Sequence, residues 1–262
     1  SQGPYSKTTY PVTVNFHPDS YTNGGTPVLQ ALKADGRLKS QFETGTSNGG
    51  LSAFVGGNRW LWEQKAFAGI YDNAPPQLRP IYGGLNITRS DVGASSRFGS
   101  SHFRLKQEVL ERTSFCYPDS YLNPNDFATI EAIEPLVELA KASNLDMLDN
   151  YIEAHIHGGI QLDRDVEALV LDPSFKGTEI EALANTLPCK LEWHHGFTLQ
   201  VAALSQHQNY RGREIVELAQ VLAGSTGTLT PSSLTTACTQ GTYHPQAIKK
   251  VWHYIARFGS HH

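Results

Sequence analysis

Apolar and polar positions alternate along residues 11–17 (PVTVNFH), a run rich in β-formers, which predicts a first strand. Thr26 and Pro27 then open a helix, Thr26 as its N-cap and Pro27 at the first position, and Gly36 closes it. Residues 42–54 (FETGTSNGGLSAF) are small, polar and glycine-rich, which is loop chemistry. Asn58 caps a helix over RWLWEQKAFA that stops at Gly69. Residues 79–87 (RPIYGGLNI) and 101–105 (SHFRL) read as strands, with a loop over 90–99 between them. The strongest helical pattern covers 123–143, with Pro135 as a kink. Residues 150–157 (NYIEAHIH) and 165–171 (DVEALVL) read as two more strands. Beyond Asp172-Pro173 the texture changes. Residues 178–187, 212–223 and 244–258 look helical, with a short strand at 190–193. The pattern predicts a mixed α+β unit over residues 1–175 and a mostly helical extension over 176–262 packed on it.

Composition narrows the class. Of 262 residues, 39% are hydrophobic and only 18% charged, below the usual ~25%, which argues against disorder. The net charge of −4 carries no footprint of bulk nucleic-acid binding. No run of 18 apolar residues exists, so no membrane span is expected. The polar opening SQGPYSKTTY does not read as a signal peptide; the expectation is a cytoplasmic protein, or a delivered effector whose leader has been trimmed. Ser1 reads as a cloning scar and His261 and His262 as a tag remnant. Cys116, Cys189 and Cys238 are too few and scattered for a disulfide framework and are expected reduced.

The densest polar segment is Tyr151-Ile152-Glu153-Ala154-His155-Ile156-His157. On a strand, Glu153, His155 and His157 share one face, and Ile152, Ala154 and Ile156 take the other, toward a core. Three readings stand. The segment is an ordinary half-exposed strand; or His155 and His157 are half of a metal site completed by His194-His195 or His17-Pro18-Asp19; or Glu153 is a carboxylate aimed into a cleft. No H-E-x-x-H and no C-x-x-C supports the metal. A second cluster, Glu43-Thr44-Gly45-Thr46-Ser47-Asn48-Gly49-Gly50, offers hydroxyls, an amide and close backbone approach, which suit a sugar or pyrophosphate. It lacks the lysine of a phosphate-binding loop and the G-x-G-x-x-G pattern. Arg59 opens an aromatic helix with Trp60 and Trp62. Ser100-Ser101-His102 has no G-x-S-x-G elbow around it, which leaves serine hydrolysis without support.

Taken in order, these pieces resemble the ADP-ribosyltransferase superfamily in its H-Y-E-like form, as in DNA-targeting toxins and phage-head-associated domains. The resemblance rests on VNFH ending at His17, the turn Gly36-Arg37-Leu38, and the Tyr-Gly strand Ile81-Tyr82-Gly83. It continues through Phe98-Gly99, Phe103-Arg104-Leu105, Glu111-Arg112-Thr113-Ser114-Phe115 and Asp119-Ser120, and ends on the Glu153-bearing segment and Asp165–Val170. It covers residues 12–172. The segments FETGTSNGG and RPIYGGLN also resemble a little-characterised bacterial family of unknown function.

The resemblance implies a split β-sandwich holding NAD+ between two small sheets. It implies that His17 hydrogen-bonds the adenosine-side ribose, that Tyr82 stacks on nicotinamide with Tyr71 as competitor, and that Glu153 is the catalytic glutamate. Thr44, Gly45, Thr46, Ser47, Asn48 and Arg59 complete the NAD+-binding set, and His155, two residues past the glutamate, orients the acceptor. The pattern departs from the family in two places: there is no S-T-S motif, for which 44–48 is only a loose substitute, and no Q/E-x-E. The expected function is mono-ADP-ribosyl transfer without a metal, by a toxin, effector or defence enzyme. Its acceptor is a protein or nucleic acid, and a cognate antitoxin or immunity protein is its potential partner. The alternatives are an NAD+ glycohydrolase on the same fold and a metal-dependent hydrolase built on His155, His157 and His194 or His195.

Overall fold

The structure, a computed structural model, describes residues 10–45, 50–239 and 241–259. It is an α+β fold around one mixed sheet. The strands are β1 (Val12–Phe16), β2 (Ile81–Leu85), β3 (Ser101–Leu105), β4 (Thr113–Tyr117), β5 (Asp126–Thr129), β6 (Ile152–Ile156), β7 (Val166–Leu171) and β8 (Lys190–Trp193). Their order across the sheet is β8-β7-β3-β1-β2-β6-β4-β5. Only β7 and β8 pair parallel; the other neighbours are antiparallel.

Alternation explains the central strands. On β1, Val12, Val14 and Phe16 pack into or against the apolar core. Thr13 and Asn15 are buried on the other face, where their polar groups find partners. Asn15 Nδ2 donates to the carbonyls of Val92 (2.9 Å) and Gly99 (3.3 Å), and the Ala94 N–H donates to Thr13 Oγ1 (2.9 Å). The polar face of β1 thus ties down the 92–99 loop, as buried polar groups require. On β6, Ile152, Ala154 and Ile156 enter the core as alternation dictates.

The helices are α1 (Val28–Asp35), α2 (Gln41–Thr44), α3 (Asn58–Ala66), α4 (Glu134–Ala142), α5 (Leu162–Asp165), α6 (Glu179–Ala184), α7 (Arg213–Ala223), α8 (Pro231–Thr239) and α9 (Pro245–Phe258). Pro27, rather than Thr26, occupies the N-cap of α1, and Gly36 ends it in the left-handed conformation, its N–H on the Leu32 carbonyl. The expected 42–54 loop begins inside α2, whose N-terminus is closed by a reciprocal capping box between Ser40 and Glu43. Gly57, not Asn58, is the N-cap of α3; Ser52 Oγ accepts the Asn58 N–H at 2.9 Å.

The expected helix over 123–143 is divided. Asp126–Thr129 is strand β5, paired with β4 at the sheet edge. The helix starts at Glu134, so Pro135 sits in its first turn, where the missing N–H costs nothing, and does not kink it.

Two apolar cores form among the described residues. The first packs β1–β7, α1, α4 and α6, reaching Leu187, with Leu191 and Trp193 of β8 against it, so residues up to 193 pack with the sheet. The second draws on Val92, Leu148 and residues 197–256, chiefly α7, α8 and α9. Trp252 of α9 ties the second core to the 96–98 turn: its Nε1 donates to the carbonyls of Ser96 (3.0 Å) and Arg97 (3.2 Å).

Candidate functional site

Three neighbouring strands build the site floor. Across β2, β6 and β4, Tyr82 lies opposite His155 and His155 opposite Ser114; one pair along, Gly84 faces Glu153 and Glu153 faces Cys116. Helix α3 covers this floor. Arg59, Trp62 and Glu63 sit at i, i+3 and i+4, and all three are buried on its inward face. Trp62 and Tyr82 meet the His155 ring at 5.2 and 5.3 Å between centroids. A cavity of about 280 Å³ opens beside them, near the low end of the ~300–1,000 Å³ common for small-molecule sites. Its lining includes Asn15, Gln41, Thr44, Arg59, Tyr82, Ser95, Asp119, Ser120 and Glu153, with Phe16, Phe98, Phe103, Tyr121 and Tyr151 as aromatic walls.

Glu153 is 4% exposed and held from three sides. Its Oε2 accepts from Ser120 Oγ (2.9 Å) and the Ser120 N–H (3.3 Å), and its Oε1 is 2.9 Å from His155 Nε2. Arg59 Nη1 donates to the same Ser120 Oγ at 2.6 Å. Burial alone raises a carboxyl pKa. Here the hydrogen bond and charge of His155, the Arg59 guanidinium and Ser120 outweigh burial and hold the Glu153 carboxyl below its usual value.

The neighbouring acids behave oppositely. Burial pushes the Glu63 carboxyl up, although Arg79 Nη1 (2.6 Å) and Tyr82 Oη (2.9 Å) both donate to it. Burial also raises Asp119, which accepts from Tyr151 Oη at 2.8 Å. Two carboxylates pushed up and one held down within one site is the divergence expected of a functional cleft.

The expected residues are distributed unevenly. Thr44, Arg59, Tyr82 and Glu153 line the cavity. Gly45 ends α2 in the left-handed conformation. Thr46, Ser47 and Asn48 lie outside the described residues. Tyr82 does not present a bare ring: the Arg59 guanidinium covers it at 4.2 Å. Tyr71 is not part of the lining; it stacks on His157 at 5.9 Å, with Oη 2.5 Å from His157 Nδ1.

His17 is not in the lining either, because the chain leaves β1 at Phe16 and its imidazole packs edge-on against Trp252 at 5.2 Å. His155 is fully buried beneath Trp62, Phe67 and Tyr82, so it reaches the cavity only through Glu153. Ser120, Asp119, Tyr151 and Glu63 join the site without having been read as site residues. Asp119, Ser120 and Tyr151 had a signal, in the family resemblance, and Glu63 had none.

The four-histidine metal constellation does not assemble. His194 follows β8, five strand positions from β6, or roughly 24 Å at ~4.8 Å per strand. There it contacts the Ser100 carbonyl (2.7 Å) and the Gly196 N–H (2.9 Å). Asp19 accepts from Thr235 instead. Ligand-type atoms of Cys116, Glu153 and His155 do lie within 4.8 Å of one another. Burial pushes the Cys116 thiol strongly up, which opposes the thiolate a metal requires, and the Arg59 charge acts on both Cys116 and Glu153.

The chain belongs to a family described as "Protein of unknown function (DUF3626)", whose model matches residues 11–141 and 133–256. It is similar to the Gene 2 protein of Mycobacterium phage L5, 28% identical over 163 residues, covering 53% of this chain and 59% of the relative. It is also similar to the Gene 2 protein of Mycobacterium phage D29, 29% identical over 165 residues, covering 54% and 60%. The matched stretch thus spans about three fifths of these curated relatives.

Proposed function

We propose that this member of the DUF3626 family is an NAD+-dependent mono-ADP-ribosyltransferase, with Glu153 as its catalytic carboxylate. The observation that carries the reading is a buried carboxylate held ionised at the edge of an aromatic-walled cavity. Support also comes from topology: β1, β2 and β6 are adjacent strands, and Tyr82 and Glu153 project beside each other from the last two. The split β-sandwich of that superfamily belongs to this proposal, as does a protein or nucleic-acid acceptor.

The residues suit the chemistry. As the nicotinamide–ribose bond breaks, its electron pair leaves with the nicotinamide nitrogen and positive charge develops on the ribose. A carboxylate beside it stabilises that charge and can hold the 2′-hydroxyl. Ser120 and His155 fix both Glu153 oxygens, so no reorientation is required as charge develops. Arg59 and Tyr82 form a cationic and aromatic wall, suited to a phosphate-bearing, ring-containing substrate. The acceptor then bonds to the ribose carbon, and its proton passes to Glu153 or water.

The test is nicotinamide release from NAD+ by the purified chain, with and without lysate protein, RNA or DNA. Glu153→Gln should fold normally and lose at least ~100-fold, the scale of removing one electrostatic stabiliser. Full release by a folded Glu153→Gln variant sinks the reading. Release that no acceptor accelerates or captures reassigns the protein as a glycohydrolase.

A further inference from the structure

Behind Glu153, on the side away from the cavity, a chain of hydrogen-bonding groups leads outward. Alternation sets Glu153, His155 and His157 on one side of β6 and its continuation, and register sets Ser114 of β4 opposite His155. His155 Nε2 is 2.9 Å from Glu153 Oε1, and its Nδ1 is 3.3 Å from Ser114 Oγ. The same Oγ is 2.9 Å from His157 Nε2, and His157 Nδ1 is 2.5 Å from Tyr71 Oη. The chain therefore runs unbroken from a buried carboxylate to a half-buried phenol. Ser114, His155, His157 and Tyr71 are all absent from the cavity lining, so a substrate that fills the cavity leaves this route open. The Phe67 ring, just past α3, meets His155, His157 and Tyr71 edge-on, at 5.4, 5.3 and 5.6 Å between centroids, and holds the three rings in line.

Every link can both give and take a hydrogen. A neutral imidazole donates from one nitrogen and accepts at the other, and a hydroxyl does both at one oxygen. Burial, with the charges of His155 and Arg112, lowers the His157 pKa to about 4, so this ring is neutral near pH 7. Burial and Glu63 raise that of Tyr71, against Arg79, so the phenol keeps its hydrogen. Arg112 also donates Nη1 to the His157 carbonyl, and Arg59 and the Cys116 thiol flank the Glu153 end.

We propose that Ser114, His157 and Tyr71 form a proton path between the Glu153–His155 pair and solvent. Loaded, His155 carries both ring hydrogens, the one on Nε2 toward Glu153 and the one on Nδ1 toward Ser114. The Nδ1 hydrogen passes to Ser114 Oγ as the hydroxyl hydrogen passes to His157 Nε2. The Nδ1 hydrogen of His157 passes to Tyr71 Oη, and the phenol hydrogen passes to water. Each N–H or O–H bond broken is matched by one formed, and no group is oxidised or reduced. His155 keeps its Nε2–H on Glu153 throughout, and the pair gives up one positive charge. The full carboxylate charge then faces the ribose as it turns positive, and the reverse transfers reload the ring. This use of the path rests on the NAD+ reading; the path itself does not.

Two measurements on the full chain test it. With isotope-labelled histidine, NMR reads the exchange of the His155 ring hydrogens with water, which needs no substrate. Ser114→Ala and His157→Gln should each slow that exchange at least ~10-fold. In nicotinamide release, the same variants should lower kcat at least ~10-fold and leave KM for NAD+ unchanged, toward the lower end of general acid–base effects. Imidazole in the buffer should restore kcat to His157→Ala; pyrazole, a ring of the same size and a far weaker base, should not. A parent chain that releases no nicotinamide, while exchange still depends on Ser114, refutes the NAD+ reading and leaves the path standing. Unchanged exchange in folded Ser114→Ala or folded His157→Gln overturns the path, and so does equal rescue by pyrazole, which assigns His157 to packing.

Discussion

Ser120 is the residue through which the site's charges communicate. It donates to Glu153 and accepts from Arg59, so the guanidinium acts on the carboxylate partly through one hydroxyl. A hydrogen bond to a charged group contributes about 1.5–3 kcal/mol, and one pKa unit corresponds to about 1.4 kcal/mol. Ser120→Ala should therefore raise the Glu153 pKa and move the acid limb of nicotinamide release upward by about one pH unit. A pH–rate profile measures this; an unmoved limb means that Ser120 does not hold the ionised carboxylate. The same charge balance makes Cys116, Glu153 and His155 a poor home for a cation beside Arg59. Exhaustive chelation should leave nicotinamide release intact, and stoichiometric zinc whose removal abolishes activity would return the metal-dependent hydrolase to first place.

At the scale of elements, β2 depends on the absence of side chains. A Cβ on Gly83 would sit 2.7 Å from the Thr13 carbonyl oxygen of β1 and 3.2 Å from Val14. Backbone cannot yield as a flexible side chain does, so Gly83→Ala should cost about 1–3 kcal/mol, the range for overpacking. Gly24→Ala is the control: its Cβ would meet nothing nearer than 3.8 Å. Urea unfolding of both compares them, and equal midpoints would show that the β1–β2 contact is slack.

This scale also marks where the sequence stops being readable. The strands β1, β2, β3, β6 and β7 follow from alternation and β-formers, and the Glu153 face of β6 from alternation alone. Strand β5 is an edge strand, largely exposed, so it carries no buried period to detect, and the helical pattern that follows it swallowed it. Ser120 and Asp119 come from a turn, and Glu63 from a helix. Only the register of β4 against β6 and the packing of α3 bring them to Glu153, and neither is written locally. His17 failed as a cleft residue for the same reason: its partner Trp252 is 235 residues away.

Across the whole molecule, each apolar core carries a histidine that folding keeps neutral. His102 of β3 is 2% exposed, and burial, with His194 and Arg104, lowers its pKa to about 3. His253 of α9 sits at about 3, chiefly through burial and Arg211. In the unfolded chain both titrate near ~6.5. Below that pH the unfolded state takes up protons that the folded state refuses, so their stabilisation is complete above ~6.5 and declines toward ~3. Between pH 7 and 5 each histidine should withdraw about 2 kcal/mol, a large share of the ~5–15 kcal/mol that holds a domain folded. Glu63 and Asp119, pushed up by burial, act in the opposite sense and offset part of the loss. The carboxyls of Glu43, Asp146 and Asp165, held low by arginine partners, add to it as the pH falls further. Urea midpoints should therefore fall steadily from pH 7 to pH 5, and a folded His253→Gln variant should show a shallower slope. A midpoint independent of pH across that interval would mean that the two histidines are protonated in the folded chain or open to water.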